Sequence, residues 1–167
     1  MQLALGRKGD YSVRAVLDIV RHGAARRRKA REIAVSMEVP DRYLTQILAN
    51  LVAEGLLKAV AGPDGGYSLA RSPESITLLD VVQAAEGQIT LDECVLSGGP
   101  CEWEEACPVH TPWVRAQNAL MSELSKTTFL DLAGFASDID AGTYEGPPGT
   151  LPHPTRTRRG PKIVPIK

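Results

Sequence analysis

The stretch 94-CVLSGGPCEWEEACPVH-110 gathers all three cysteines of the chain, Cys94, Cys101 and Cys107, and places His110 after the last with two residues between them. Three thiolates and an imidazole are soft-to-borderline donors, and two kinds of metal site use them. One is structural zinc of the three-Cys-one-His kind. The other is an iron–sulfur cluster, 2Fe–2S or 4Fe–4S, whose irons are held by thiolates with an occasional other ligand. Zinc knuckles commonly set two cysteines two to four residues apart. Intervals of six and five residues describe a wider arc, which suits a cluster better, and Gly98, Gly99 and Pro100 let the backbone bend around it. Unligated thiols among charged residues would be open to oxidation. A catalytic thiol would need a base, and only His110 offers one; no Cys-x-x-Cys dithiol is present.

The elements that must position such a loop follow from charge and periodicity. The net charge of −1 conceals an asymmetry. Residues 1–75 carry twelve Lys and Arg against eight Asp and Glu, residues 76–145 two against twelve, and residues 146–167 five against none. The front half is therefore the part suited to a polyanion. The chain is 43% hydrophobic but only 5% aromatic, so its core is expected to be aliphatic. No run approaches the ~18 apolar residues of a membrane span, and the N-terminus has no secretory core, so a cytoplasmic protein with reduced thiols is expected.

Apolar residues at Val13, Val16, Leu17 and Val20 predict a helix from Asp10 to His22. The segment RRRKAREIAVSM predicts a shorter one ending before Val39-Pro40. In 41-DRYLTQILANLVAEG-55, Leu44, Ile47, Leu48, Leu51 and Val52 form an apolar stripe, with Asp41 as expected N-cap and Gly55 as stop. LLKAV and GYSLAR flank the turn-rich AGPDGG and predict a β-hairpin. Three helices followed by a hairpin is the order of a winged helix-turn-helix. A major groove about 12 Å wide admits one helix, and Arg42, Thr45 and Gln46 would reach base edges from this one. Tyr43 would reach a phosphate; Lys58 and the backbone around Gly62, Gly65 and Tyr67 would approach the DNA backbone or minor groove. Arg7, Lys8, Arg28 and Pro40 complete the expected contact surface.

Farther on, Thr77 and Asp80 have capping-box spacing before LLDVVQAAEG. A longer helix is expected from Thr111, as N-cap, to about Lys126, its wide apolar face including Trp113, Val114, Leu120, Met121 and Leu124, with Asn118 as a polar interruption. A face of that width is expected to pack on a second copy, giving a homodimer. A last short helix is expected over FLDLAGFA after Thr128, and the six-proline segment after about Asp140 reads as a disordered basic tail. The expected fold is mainly α with a small β-hairpin. The expected parts are a winged helix-turn-helix at 1–75, a cluster-binding loop with dimerisation helices at 76–137, and the tail at 138–167. The rival from another class, an enzyme, finds no nucleophile–base pairing.

KGDYSVRAVLDIV, PDRYLTQILANLVAEGLLKAV, GPDGGYSLAR and ITLLDVVQAAEG, with the three-cysteine loop after them, resemble the IscR/NsrR family of winged-helix bacterial transcription regulators over roughly residues 1–135. The resemblance implies a homodimer that binds double-stranded operator DNA, most simply as a repressor. It also implies an iron–sulfur cluster that reports on nitric oxide, redox stress or iron supply. It makes Cys94, Cys101 and Cys107 the thiolate ligands, with the fourth from His110 or from Asp10 of the partner's first helix; Asp10 as an ordinary helix N-cap is the alternative. A zinc-containing or cluster-free regulator of the same fold, acting through another ligand or protein, is the second implication. Ala61 stands where many members carry an arginine, so a minor-groove contact from that position is not expected.

Overall fold

A computed structural model of the chain describes residues 5–23, 26–88 and 107–146. In order come α1 (Arg7–Arg21), α2 (Ala30–Met37), α3 (Asp41–Ala53), β1 (Leu57–Val60), β2 (Gly66–Leu69), a single 3-10 turn at Pro73–Ser75, α4 (Leu78–Glu86), α5 (His110–Lys126) and α6 (Phe129–Ala141). This is the expected mainly α fold with an antiparallel hairpin, in which Leu57 pairs with Leu69 and Val60 with Gly66.

On α1 the buried face is offset from the predicted stripe: Val16 is fully buried, Val13, Leu17 and Val20 are half-buried against the core, and Ala15 and Ile19 are the other fully buried apolar residues. Val16 and Ile19 of α1, Ile33 of α2, and Leu44, Leu48 and Leu51 of α3 point into one core with Leu56 and Leu57 at the hairpin's start, all nearly or fully buried. Each such aliphatic side chain contributes about 1.5–3 kcal/mol. The core also takes Ile76, Val81 and, from far down the chain, Phe129, which is 0% exposed. Phe129 is led there by reciprocal backbone bonds: Leu78 N–H to the Thr127 carbonyl at 2.8 Å and Phe129 N–H to the Ile76 carbonyl at 2.9 Å. The start of α6 is thus stitched to the start of α4.

Several expected boundaries move. Helix α1 begins at Arg7, so Asp10 lies inside its first turn and is not its N-cap; that position is Gly6, which has no side chain to offer. Helix α2 begins only at Ala30, because Arg28 is extended and pairs with Tyr67 of β2. The N-cap of α3 is Pro40, and Asp41 instead places its carboxylate in the first turn, where the helix dipole favours it. Helix α5 starts at His110 behind Val109, leaving Thr111 one residue inside. Helix α6 runs on to Ala141, past FLDLAGFA, and stops at Gly142 with φ +73°. The Thr77–Asp80 capping box is formed as expected, Asp80 N–H lying 3.1 Å from the Thr77 hydroxyl.

Candidate nucleic-acid interface and metal-ligand residues

Burying Leu44, Ile47, Leu48 and Leu51 turns the other side of α3 outward. Arg42, Tyr43, Thr45, Gln46 and Ala49 are all exposed, and 42, 45, 46 and 49 recur at the helical period. Arg42 folds over the Tyr43 ring, its guanidinium carbon 4.7 Å from the ring centre, and donates to the Tyr43 hydroxyl at 3.1 Å. Tyr43 in turn leans on Tyr11 of α1, ring centres 6.2 Å apart. Tyr11 therefore props the first turn of α3, a role that sequence periodicity does not disclose.

On the hairpin, Lys58 is exposed. The tip turns on Gly62, at φ +107°, and closes by Gly65 N–H on the Gly62 carbonyl at 3.0 Å. At Gly65 a Cβ would meet the Val60 carbonyl at 2.1 Å, so glycine alone fits. Between the hairpin and the start of α2 lies a cleft of about 550 Å³ whose walls include Val60, Pro63, Tyr67 and Lys29. Lys29 belongs with the exposed Arg26, Arg27 and Arg31; the signal that could have found it is the basic run RRRK itself. Arg7 and Lys8 are exposed on the first turn of α1, and Pro40 is exposed at the head of α3.

Among the residues expected to meet DNA, Arg28 is placed differently from its basic neighbours. Its side chain is only 13% exposed and turns inward, Nε 2.9 Å from the fully buried Asp18 carboxylate. Two of its three guanidinium nitrogens are engaged by that acid. The sequence could not separate Arg28 from its basic neighbours, because only the fold brings Asp18 beneath it.

Of the expected metal ligands, Cys94 and Cys101 lie outside the described residues. Cys107 is half-buried just before α5. His110 is exposed as the first residue of α5, and its backbone N–H donates to the Cys107 carbonyl at 3.3 Å, so the two share one turn. Asp10, on α1, accepts from Arg14 Nε at 2.9 Å, and Arg14 also donates to the Met37 carbonyl at 3.3 Å. Among the described residues no three His, Cys, Asp or Glu side chains are grouped so that they could hold a metal ion, and none of their helices is long and apolar enough to cross a membrane. A thiol and an imidazole one turn apart, at the end of a segment bearing two more thiols, remain a donor set that fits iron or zinc.

Helix α5 buries no residue of its own, and Leu120, Leu130, Phe135 and Ile139 on α5 and α6 are each more than 40% exposed. These two helices carry an apolar surface that is not buried among the described residues.

Residues 5–134 match the Rrf2 family, described as an iron-dependent transcriptional regulator. The chain is 28% identical over 149 residues to the HTH-type transcriptional regulator IscR of Escherichia coli O1:K1, covering 87% of this chain and 91% of that one. Its fold is similar to that of CymR, the global cysteine regulator of B. subtilis, with a TM-score of 0.70 and 27% identity over 80% of this chain and 98% of the other. It is also similar to IscR of T. potens, with a TM-score of 0.64 and 28% identity over 87% and 96%. These relatives are regulators and not enzymes. With a helix-turn-helix, a basic front half and a hairpin in the order that family uses, the chain belongs to the Rrf2 family of DNA-binding transcriptional regulators.

Proposed function

We propose that this chain works in the cytoplasm as a homodimeric operator-binding repressor whose grip on DNA is set by an iron–sulfur cluster held by Cys94, Cys101 and Cys107. The observation that carries the reading is the Cys107–His110 turn at the foot of α5, closing a short segment that bears the other two thiols. The family's description as iron-dependent supports it. When bound, such a cluster supplies a centre that reacts with oxidants and nitric oxide and depends on iron supply.

The chain's own residues would do the rest. Two copies of α5 and α6 would cover each other's exposed apolar faces, and the dyad would present two α3 helices to successive major grooves about 34 Å apart. Arg42, Thr45 and Gln46 would read bases, and Lys58 with the glycine tip would follow the backbone. A fourth ligand from the partner's Asp10 would tie the cysteine segment of one subunit to α1 of the other, and its release would let the half-site spacing drift. His110 is the competing fourth ligand; it sits in the same turn as Cys107 and would leave the subunits untied. Asp10→Ala and His110→Ala separate the two, since only the true ligand changes the visible spectrum.

A second reading, regulation through a different ligand or partner without iron, is favoured by one observation, the likeness in fold to a regulator described by cysteine rather than iron. Purification without oxygen decides. Brown protein with iron and sulfide, colourless as Cys101→Ala and altered in gel shifts, supports the cluster. Colourless wild-type protein holding one zinc per chain, or none, supports the second reading.

A further inference from the structure

The hairpin consists of two four-residue strands, and a pair that short is at best marginal alone in water. A third segment holds it. Arg28 exchanges both backbone bonds with Tyr67, each 2.8 Å. The backbones approach so closely that a Cβ on the neighbouring Gly66, at φ +144°, would lie 2.7 Å from the Arg28 carbonyl oxygen.

The same residue is anchored at its other end. Its guanidinium forks onto Asp18, Nε to Oδ2 at 2.9 Å and Nη2 to Oδ1 at 3.3 Å. A carboxylate that is 0% exposed requires such a partner. Two further groups face this pair. His22 Nδ1 lies 3.6 Å from Asp18 Oδ1, and Glu32 Oε2 lies 3.4 Å from Arg28 Nη1. Asp18 belongs to α1, which packs directly on α3. A chain of contacts therefore runs from the helix that supports α3, through one ion pair, to the strand that carries the hairpin tip.

We propose that Arg28 and Asp18 are positioning residues for operator binding: they fix the hairpin relative to α3 and touch no DNA themselves. This rests on the reading that the hairpin meets the DNA. If it holds, Asp18→Asn weakens binding although it frees an arginine cation beside the interface. A direct Arg28–phosphate contact would give the reverse.

The experiment uses full-length dimer purified without oxygen and a duplex selected by the wild-type protein from a random pool. Affinity is measured across a salt series and hydroxyl-radical footprints are recorded. In the wild type, Lys58→Ala should lower the salt slope by about 0.9, one phosphate contact. Asp18→Asn should lose ~10-fold or more in affinity, lose the hairpin's footprint while keeping that of α3, and make a further Lys58→Ala change silent. Arg28→Lys, which keeps the charge but not the fork, should behave as Asp18→Asn does and decides the matter if that variant does not fold. Wild-type affinity and footprint in Asp18→Asn or Arg28→Lys, or costs that simply add to that of Lys58→Ala, would overturn the assignment. A wild-type slope indifferent to Lys58→Ala would overturn the hairpin reading as well.

Discussion

The Glu86 carboxylate accepts the Gly9 backbone N–H at 2.8 Å, joining the last residue of α4 to the first turn of α1 across 77 positions of sequence. Gly9 is buried, its N–H has no partner within its own helix, and the cap residue Gly6 has no side chain. Glu86 therefore supplies from another helix both the missing cap acceptor and the negative charge that a helix N-terminus favours. Glu86→Ala should cost about 1–2 kcal/mol, and Glu86→Gln, which keeps an acceptor, less. Thermal melts of the two variants check this; equal melting of Glu86→Ala and wild type would show that water serves Gly9 as well.

The exposed side of α3 leads to a distinction between kinds of contact. Gln46→Ala should relax preference at one base position, at a cost of about 1–3 kcal/mol against the preferred sequence. Its effect on unrelated DNA should be small. Arg42 is stacked on Tyr43, which itself leans on Tyr11. Tyr11→Ala should therefore disturb the same end of α3 without any DNA contact of its own. Competition binding with single-base variants of a selected duplex separates the two, and a uniform loss in Gln46→Ala would place that side chain on the backbone.

What the sequence disclosed followed its local signals. The stripe of α3, the hairpin around AGPDGG and the Thr77–Asp80 box depend on neighbours within four residues or on turn chemistry, and each was legible. Arg28 was not, because a run of three arginines and a lysine is locally uniform; which of them turns inward depends on Asp18, ten positions back on α1. Phe129 in the front core and Glu86 as a cap were equally hidden, for both are non-local pairings with no periodicity to mark them. The donor types at Cys107 and His110 could be read directly, as could their spacing, while the choice between His110 and Asp10 needs a second subunit.

Between α2 and α3 the chain turns through Glu38, the one described non-glycine residue with positive φ, at +51°. The left-handed region costs an ordinary residue roughly 1 kcal/mol, and the Glu38 side chain is exposed, so it has little burial to offset that. Glycine removes the strain but adds freedom to the unfolded chain. Glu38→Gly should therefore be neutral or stabilising, within ~1 kcal/mol. Denaturant unfolding is the measurement, and a clear destabilisation would mean that the carboxylate has a partner outside the single chain.

At the head of α6, the Thr128 hydroxyl donates to the Asp131 carboxylate at 2.6 Å and the Thr128 backbone N–H does so at 2.9 Å, the hydroxyl having the larger effect. Together they hold the Asp131 carboxyl below its ordinary range. A carboxyl shifted down on folding stabilises the folded chain at any pH above its unfolded value, and that contribution is lost as pH falls through the folded value. The sign is fixed: acid weakens the box and alkali does not. Because the box starts at the residue before Phe129, the weakening should reach the front core. Thr128→Val should melt below wild type at neutral pH, and the gap should narrow as pH falls below ~4. A gap that stays constant across that range would show that the hydroxyl acts only by capping the Asp131 N–H, which it accepts at 3.2 Å whatever the charge on the acid.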